Sequence, residues 1–383
     1  MANLQERFNS EFDRIVEQYN LDKKNMAVAV SGGADSLALA FLLEQYTDEK
    51  GRARIITLTV NHNLRPEAKD EAKYVAELMK KNGIEHHILE WKHPKLVRGI
   101  ETRAREARYN LLLEWCCQNK VKILMTAHHL RDQAETFLMR LQRGSGVDGL
   151  ASMADVIERG NVKIVRPLLN IEPQELRDFL KEKGLAWKED ASNECDDFLR
   201  VRVRKFLPKL EKEIGITVQK IGAAVAALAG AREYFSAQAD DFINNHCRNW
   251  YNCGWSFNPE VFGQLHNEIR FRVMAGLIKN IGDGDYAPEY VALNRLCDSL
   301  VDKNFKGATL GGCEILKFNR RIWVIAENKK DALLTKEQWD AYVSKHSEIL
   351  KHGMPYKLKL NLFGKNVKQL SLKNKNTILS RVD

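Results

Sequence analysis

The chain has 383 residues, 44% of them hydrophobic, and its 60 lysines and arginines exceed its 51 acidic residues by nine. This length is more than one hydrophobic core normally serves, so we expect two or three domains. The seven cysteines are odd in number and form no C-x-x-C pair, which argues against a disulfide framework, a zinc ribbon and an iron–sulfur site.

The N-terminal stretch MANLQERFNSEFDRIVEQYN is charged and amphipathic, and it lacks the apolar core of a secretion signal. The most apolar later run, IGAAVAALAG, is about half as long as a membrane span. We therefore expect a soluble, cytoplasmic protein with reduced thiols and no membrane partner.

In chain order, the first 190 residues alternate between strand-like and helix-like segments. Apolar runs typical of strands occupy 26–30, 54–61, 86–90, 122–127 and 162–168, and helical patterns occupy 37–46, 66–82, 103–118 and 131–143. Strands that recur after helices predict right-handed β-α-β units, and hence an α/β domain with a doubly wound, Rossmann-like parallel sheet. Ligands of such sheets bind beyond the carboxyl ends of the strands.

The later part of the chain has a different pattern. Helices are predicted over 196–215 and from 217 to about 247, with a helical region to about 300 and a hairpin around NRR at 308–327. The segment YKLKLNLFGK at 356–365 has the strict period two of a half-buried strand with a basic exposed face. We predict three domains: an N-terminal α/β domain at 1–215, a helical domain at 216–305 and a small basic, β-containing domain at 306–383.

The positive charge is concentrated at the C-terminal end. Residues 351–383 carry eight basic and one acidic side chain, or +7, whereas the other 350 residues carry 52 basic and 50 acidic ones. Such an end either holds a polyanionic partner or is a solvated tail that aids solubility, and composition leaves both readings open.

The stretch VAVSGGADSLALA, residues 28–40, passes from a buried strand to a helix through two glycines. Gly32 and Gly33 let the backbone turn with its amides inward, and the helix start adds unpaired N–H groups and a partial positive charge. Together with the hydroxyls of Ser31 and Ser36, these groups predict an anion site.

The turn lacks the lysine that a P-loop would place after it, and Asp35 stands there instead. A carboxylate beside phosphates requires a metal ion between them, so we expect a magnesium-bound pyrophosphate, as part of a nucleotide, at this turn. VNHNLR at 60–65 and TAHH at 126–129 also follow predicted strands, so three stretches of unusual chemistry meet at one edge of the sheet.

The pattern S-G-G-x-D-S after a strand resembles the pyrophosphatase-loop (PP-loop) family of ATP enzymes. The resemblance implies cleavage of ATP between its α and β phosphates and an adenylated intermediate, so that the leaving pyrophosphate must be held and a γ-phosphate lysine is not required. It also implies that the nucleotide contacts Ser31, Gly32, Gly33, Ala34, Asp35 and Ser36.

Five further stretches narrow the resemblance. Over about residues 25–210 they are similar, in the expected order, to the tRNA(Ile)-lysidine synthetase family: VNHNLRPEA (60–68), ETRAREARY (101–109), TAHHLRDQAETFLMRLQRGSGVDGL (126–150), RPLL (166–169) and WKEDASN (187–193). This implies an ATP-dependent ligase that adenylates the wobble cytidine of a CAU-anticodon tRNA(Ile) and joins free L-lysine to its C2. The product, lysidine, changes the codon read from AUG to AUA, and the helical domain would bind the tRNA.

The same resemblance implies roles for single residues. Asp132 and Glu135 match carboxylates that bind metal and place the substrate, although acids in a first helical turn are also stabilised by the helix dipole alone. Arg103 and Arg108 are expected to face the nucleotide and neutralise the α-phosphate in the transition state. We therefore predict as catalytic residues Asp35, Arg108, Asp132 and Glu135, as metal ligands Asp35 and Asp132, and as further nucleotide contacts Arg103 and His128.

One position departs from the family pattern. Family members usually show two consecutive aspartates where this chain has Arg131 followed by Asp132. Because a guanidinium cation does not ligate metal ions, we expect no direct metal-ligand role at the first position, and Arg131 is expected to contact phosphate instead. In the basic segment FLRVRVRKFLPK, the family usually has an asparagine at the position of Val201, and only Arg200 and Arg204 match cleanly.

Four other functions compete with this one. Thiolating relatives need reactive cysteine pairs or a cluster, which the spacing here does not provide. RGSGVDG at 143–149 contains G-x-G-x-x-G but follows a helix, so it fails the context test for a dinucleotide site. Another adenylating tRNA-modifying enzyme, and a non-catalytic RNA-binding protein gated by a nucleotide, remain alternatives; a homodimer is compatible with the sequence.

Overall fold

The structure, a computed structural model, describes residues 3–22, 25–50, 54–64, 67–93, 100–188, 199–251, 253–282, 288–302 and 304–327, together with Pro355, Leu358, Asn361 and Leu362. It divides into two compact units, Met1–Gly230 and Ala231–Asp383. The three-domain division predicted from the sequence, with boundaries at 215/216 and 305/306, stays a prediction.

A six-stranded sheet forms the centre of the first unit. Its strands are β1 (Asn25–Ala29), β2 (Arg54–Asn61), β3 (Glu85–Glu90), β4 (Ile123–Met125), β5 (Val156–Arg159) and β6 (Val162–Val165), in the order β3-β2-β1-β4-β6-β5. All neighbours are parallel except β5 and β6, which form an antiparallel hairpin. The predicted doubly wound α/β fold is therefore confirmed.

Helices cover both faces of this sheet, and further helices pack on one another. In chain order, the helices are α1 (Leu4–Gln18), α2 (Ala34–Lys50), α3 (Ala68–Lys81), α4 (Ile100–Gln118), α5 (Leu130–Gln142), α6 (Val147–Leu150), α7 (Pro173–Glu182), α8 (Leu199–Ile214) and α9 (Val218–His246). One face packs against α1, α2, α3 and α7. The other packs against α4 through Leu112 and Cys116.

The local sequence explains why these elements form where they do. Met26, Ala27 and Val28 of β1 are buried because the strand is central and covered on both faces. Helix α1 begins at a capping box between Asn3 and Glu6.

The second unit combines helices with an antiparallel sheet. It contains β7 (Arg248–Asn249), β8 (Gly254–Phe257), α10 (Pro259–Gly263), α11 (Asn267–Ile281), α12 (Tyr290–Leu300), β9 (Ala308–Leu310), β10 (Cys313–Phe318) and β11 (Arg321–Ala326). The strand order is β7-β8-β11-β10-β9. The predicted hairpin around NRR is confirmed, with Asn319 and Arg320 both at positive φ in its turn.

Two expectations for the later chain differ from the structure. The helical region predicted to about 300 is interrupted by β7 and β8, and β8 pairs with β11. The strand predicted at 356–365 is wrong at its described residues, because Leu358, Asn361 and Leu362 are helical and buried. Residues at i, i+3 and i+4 share one helical face, so leucines that alternate along a strand also line a helix. The basic side chains of that segment lie outside the described residues.

Within the described ranges, no single helix is long and apolar enough to cross a membrane; only the bent pair α8 and α9, at 101°, passes by length and composition.

Candidate active site

The glycine turn connects the carboxyl end of β1 to α2. Gly32 has φ +89°, which L side chains rarely adopt, and a Cβ there would lie 3.1 Å from Val75 Cγ2. At Gly33 a Cβ would meet only Ser31 Oγ, at 3.6 Å. The fold itself therefore requires glycine at position 32, whereas position 33 keeps free space above the turn.

Two serines give the turn its shape. The buried Ser36 donates its hydroxyl to the carbonyl of Gly33 at 3.0 Å and accepts the N–H of Ser31 at 3.1 Å. Ser31 is exposed, with its Oγ 3.2 Å from Ser36 Oγ. Ala34 is buried as the first residue of α2. Ser36 thus holds the turn, while Ser31 is placed to meet an anion from solvent.

His129 connects two of the predicted carboxylates. His129 is the N-cap residue of α5. Its ring Nδ1 accepts the backbone N–H of Asp132 at 3.3 Å, and its backbone N–H donates to Asp132 Oδ2 at 3.1 Å. Its Nε2 lies 3.5 Å from Asp35 Oδ2. Because Nδ1 is an acceptor in this arrangement, the ring proton lies on Nε2 and faces Asp35.

The charges in this group stabilise one another. Burial opposes a positive charge on His129, but the hydrogen bond to Asp35 and the charges of Asp132, Asp35 and Glu135 outweigh it, so the pKa of His129 is raised. Burial also opposes the charge on Asp132, yet His129 and His128 bring the pKa of that carboxyl below its usual value. Asp132 is therefore ionised at neutral pH.

Asp35 offers an oxygen to a ligand. Its Oδ1 is buried without a hydrogen-bond partner. Mg²⁺ is usually bound by one or two carboxylates together with phosphate oxygens, so Asp35 and Asp132 fit the predicted ion. Across the described ranges, no three His, Cys, Asp or Glu side chains are grouped so that they could hold a metal ion by themselves.

Glu135 occupies a different environment. Its carboxylate is 0% exposed and pairs with Arg204, whose Nε lies 2.7 Å from Oε1, and with Arg200, whose Nε lies 3.2 Å from Oε2. Both arginines belong to α8, and Arg200 also donates to Thr136 Oγ1 at 3.3 Å. Glu135 therefore links α5 to α8, and its predicted catalytic role stays a prediction.

Arginines surround Tyr109 of α4. The guanidinium carbons of Arg105 and Arg108 each lie 5.6 Å from the centre of its ring. Arg166, which follows β6, is hydrogen-bonded to Tyr109 and donates to the carbonyl of Ala154 at 2.8 Å. Burial lowers the pKa of both Arg108 and Arg166. This concentration of positive charge suits a phosphate group.

His128 lies within reach of these arginines. Burial, together with the charges of Arg166, Arg105 and Arg108, outweighs the opposing effect of Asp132 and lowers the pKa of His128 to about 4. Its Nδ1 lies 3.1 Å from Thr126 Oγ1. A neutral imidazole at this place can donate to or accept from a nucleotide.

Two predicted positions differ in their surroundings. Arg103 is exposed on α4, and its nucleotide contact stays a prediction. Arg131 has a buried Nε without a hydrogen-bond partner. Arg131 therefore has unused donor capacity next to Asp132.

Sequence reasoning did not assign a role to several residues that the structure brings to this site. His129 was signalled only by its place next to His128. Arg166 lies in the RPLL stretch and Tyr109 ends the ETRAREARY stretch, but neither residue was predicted to act at the site. Glu135, three residues after Asp132, was a signal for cationic partners. No local pattern in the sequence identified these partners as Arg200 and Arg204.

A glycine turn after the first parallel strand, with carboxylates and arginines at the same edge of the sheet, defines the class of nucleotide-binding α/β proteins. A sequence profile of the PP-loop domain matches residues 4–211, more than half of the chain. The tRNA(Ile)-lysidine synthase of Wolbachia pipientis wMel is 35% identical over 339 residues, 86% of this chain and 78% of the relative. That of Ruegeria pomeroyi is 36% identical over 337 residues, again 86% and 78%. The chain belongs to the tRNA(Ile)-lysidine synthase (synthetase) family of PP-loop, ATP-using enzymes.

One solved structure supports the fold. The U34-tRNA thiolase NcsA from Methanococcus maripaludis, solved with its 4Fe-4S cluster, aligns with a TM-score of 0.50 and 22% identity, over 59% of this chain and 78% of that one. At this identity the likeness concerns the fold only.

Proposed function

We propose that this protein ligates free L-lysine to C2 of the wobble cytidine in CAU-anticodon tRNA(Ile), through an adenylated cytidine and at the expense of ATP. By its family, the protein is an ATP-dependent, tRNA-modifying ligase. The observation that carries the finer proposal is the link from Asp35 through His129 to Asp132, because it sets two carboxylates beside an anion-binding turn.

In the first step, the cytidine O2 forms a bond to the α-phosphorus while the bond to pyrophosphate breaks. The glycine turn holds the leaving pyrophosphate through its amides and Ser31. Arg108, with Arg105 and Arg166 beside Tyr109, neutralises the charge that develops on the α-phosphate. His128, neutral because its pKa is lowered to about 4, supplies a hydrogen bond without adding charge.

In the second step, the lysine ε-amine attacks C2 and AMP departs with the electrons of the C2–O2 bond. The amine must first lose its proton, since its ordinary pKa is about 10.4, and a site carboxylate or an oxygen of the departing AMP phosphate takes that proton up. Asp132 stays ionised and attracts the ammonium group of the incoming lysine. An anticodon loop exposes its bases, so presenting the cytidine costs only a few kcal/mol.

The proposal includes a magnesium ion at Asp35 and Asp132. The partnerless Oδ1 of Asp35 supports it. When bound, Mg²⁺ would neutralise phosphate charge next to the turn.

The test supplies the full-length protein with ATP, radiolabelled lysine and transcripts of tRNA(Ile) with a CAU anticodon. We expect label in the tRNA together with AMP and pyrophosphate. The elongator methionine tRNA, which has the same anticodon, is the matched control and should remain unlabelled. Labelling of neither transcript would contradict the proposal.

The alternatives give different results. Another adenylating enzyme would exchange pyrophosphate into ATP in the presence of tRNA without incorporating lysine, and a nucleotide-gated RNA-binding protein would do neither. Thiolation is disfavoured at three of the described thiols, because burial raises the pKa of Cys116, Cys247 and Cys297 to about 12, which leaves them protonated and weakly nucleophilic. Cys195 lies outside the described residues. The cytoplasmic location and a homodimer stay predictions.

A further inference from the structure

Three aromatic rings lie in a row where β2 and β3 end. The rings of Trp91 and His93, after β3, have centroids 4.1 Å apart and planes tilted by 40°. His62, after β2, meets Trp91 edge-on, with centroids 6.1 Å apart and planes at 89°. Both strands are parallel to β1, so the row lies at the same edge of the sheet as the glycine turn.

Hydrogen bonds fix this row in place. His93 Nε2 donates to the carbonyl of His62 at 3.0 Å, and Asn63 Nδ2 donates to the carbonyl of Trp91 at 3.1 Å. The N–H of Trp91 donates to the carbonyl of Asn61 at 2.9 Å. The rings are thus held before any ligand arrives, which lowers the entropy lost on binding.

His62, the ring of the row nearest to the glycine turn in strand order, is uncharged, and the cations Arg108 and Lys92 belong to the same region. Burial, then Arg108 and His93, lower the pKa of His62, so that this ring is neutral at pH 7. Lys92, between Trp91 and His93 in sequence, is exposed. Aromatic faces next to positive side chains are the combination that binds single-stranded nucleic acid, through base stacking and phosphate contacts.

The position of the row favours an extended ligand. In the strand order β3-β2-β1, the end of β3 lies two strands from the glycine turn, or about 10 Å at the usual strand spacing. The row therefore continues outward from His62, which interacts electrostatically with Arg108, to Trp91 and His93, which follow the edge strand β3. An RNA substrate likewise continues on either side of its reacting nucleotide, so a neighbouring base can reach a row of rings that extends away from the glycine turn.

We propose that Trp91 and His93, supported by His62, form a stacking platform for a base of the tRNA that flanks the reacting cytidine. The inference rests on the proposed function, since it requires an RNA substrate. It assigns an RNA contact to residues that lie outside the glycine turn and outside the group around His129.

The test measures the affinity of the full-length protein for an anticodon stem-loop RNA of tRNA(Ile), and separately for ATP. The variants are Trp91→Ala, Trp91→Leu, which keeps apolar bulk without an aromatic ring, and Trp91→Phe, which keeps a ring. Trp115→Ala is the matched control. Trp115 of α4 packs on His87 in the middle of β3, with ring centroids 5.2 Å apart, away from the end of the strand where Trp91 lies.

We expect Trp91→Ala and Trp91→Leu to weaken RNA binding by about 5- to 100-fold, the usual effect of losing one base–aromatic stack. Trp91→Phe should retain most of the affinity, and Trp115→Ala all of it. The slope of log affinity against log salt should stay as in the unsubstituted protein, because stacking releases no counterions.

Three outcomes would overturn the platform: RNA affinity unchanged in both Trp91→Ala and Trp91→Leu, equal losses in Trp115→Ala, or a loss of ATP affinity alone, which would assign the rings to adenine. Lysine incorporation by the unsubstituted protein is measured in parallel. If that activity is absent, the proposed function fails; if it is present and the Trp91 variants bind RNA normally, only the platform fails.

Discussion

His129 Nε2 lies 3.5 Å from Asp35 Oδ2, although 94 positions separate the two residues in the chain. The same imidazole caps α5 through Nδ1. One ring therefore fixes both the carboxylate in the glycine turn and the first turn of the helix that carries Asp132.

The first prediction concerns Asp35. Asp35→Asn keeps the shape of the side chain but removes its charge, and we expect product formation to fall by at least about 10²–10³, the effect of losing one preorganised electrostatic contact. Asp48→Asn, at an exposed position of the same helix, is the control and should keep full activity. Lysine incorporation at saturating magnesium checks this, and near-normal turnover in Asp35→Asn would remove Asp35 from the site.

The second prediction compares neighbours at the start of α5. Asp132→Ala should abolish activity, because it removes an ionised carboxylate with a lowered pKa next to the turn. Arg131→Ala should reduce activity modestly, since the Arg131 Nε has no hydrogen-bond partner to lose. The measurement is kcat and KM for ATP in both variants. Equal losses would mean that Arg131 grips phosphate directly.

The third prediction separates the two glycines. Gly32→Ala should destabilise the protein by about 1–2 kcal/mol or more, because its φ of +89° strains an L residue and Val75 crowds the new methyl group. Gly33→Ala should leave the thermal stability nearly unchanged and weaken ATP binding. Thermal unfolding and ATP affinity, measured on both variants, give the comparison. Normal ATP affinity in Gly33→Ala would place the phosphates elsewhere.

The fourth prediction concerns the buried carboxylate of Glu135. Arg204→Ala leaves Glu135, 0% exposed, with Arg200 as its remaining arginine, and we expect a loss of about 3 kcal/mol in the free energy of unfolding. Arg202→Ala, exposed on the same helix, should change it by less than about 0.5 kcal/mol. Urea unfolding of the two variants measures this difference. Equal losses in both variants would show that the ion pair between Glu135 and Arg204 does not stabilise the packing of α8.

The fifth prediction is a pH dependence. Thr57 donates its hydroxyl to the carbonyl of Glu85 and so accepts from His86 Nδ1 at 2.9 Å, which leaves the buried His86 Nε2 unprotonated. Burial, with a smaller effect of His87, lowers the pKa of His86 from 6.5 to about 4. Between these values the unfolded chain binds more protons than the folded one, so stability falls as the pH falls.

The corresponding experiment follows urea unfolding from pH 7.5 to pH 4. His86→Asn should lose part of the decrease in stability across the window from about pH 6.5 to about pH 4, because no group at that position then takes up a proton. His87→Gln, at an exposed neighbouring position, should keep most of that decrease, because burial is the larger cause of the lowered pKa of His86. An unchanged pH profile in His86→Asn would assign the acid sensitivity to other groups.

The sequence predicted the sheet and the glycine turn because both are encoded locally. A short run rich in β-branched residues, such as RIITLTVN, favours a buried strand, and the positive φ of Gly32 favours glycine at that position. The short strands β5, β7 and β8 were missed, since two to four residues are too few for a period. The strand predicted at 356–365 failed because buried leucines at i and i+4 satisfy both periods.

The candidate site was only partly predictable for a different reason. Asp35 was identified by its place in the glycine turn and Asp132 by the family resemblance, but their partners come from distant parts of the chain. Arg204 meets Glu135 across 69 positions, and no local pattern states that distance. The sequence did not indicate the role of His129, because its two ring nitrogens contact two different elements, the start of α5 and Asp35 of the glycine turn. Only the three-dimensional structure shows these contacts.

The helix α9 runs without a break through the boundary between the two compact units, since Gly230 and Ala231 are both helical. Its first half packs Val218, Ile221 and Val225 against α5 and α8 of the N-terminal unit, and its second half packs Phe242 in the core of the C-terminal unit. A hybrid protein that takes its two units from different relatives and joins them at this boundary would join two half-helices within α9. A hybrid joined before α9 would pack the α9 of one relative against the α5 and α8 of the other. The two units are therefore expected to be inherited together rather than exchanged as modules.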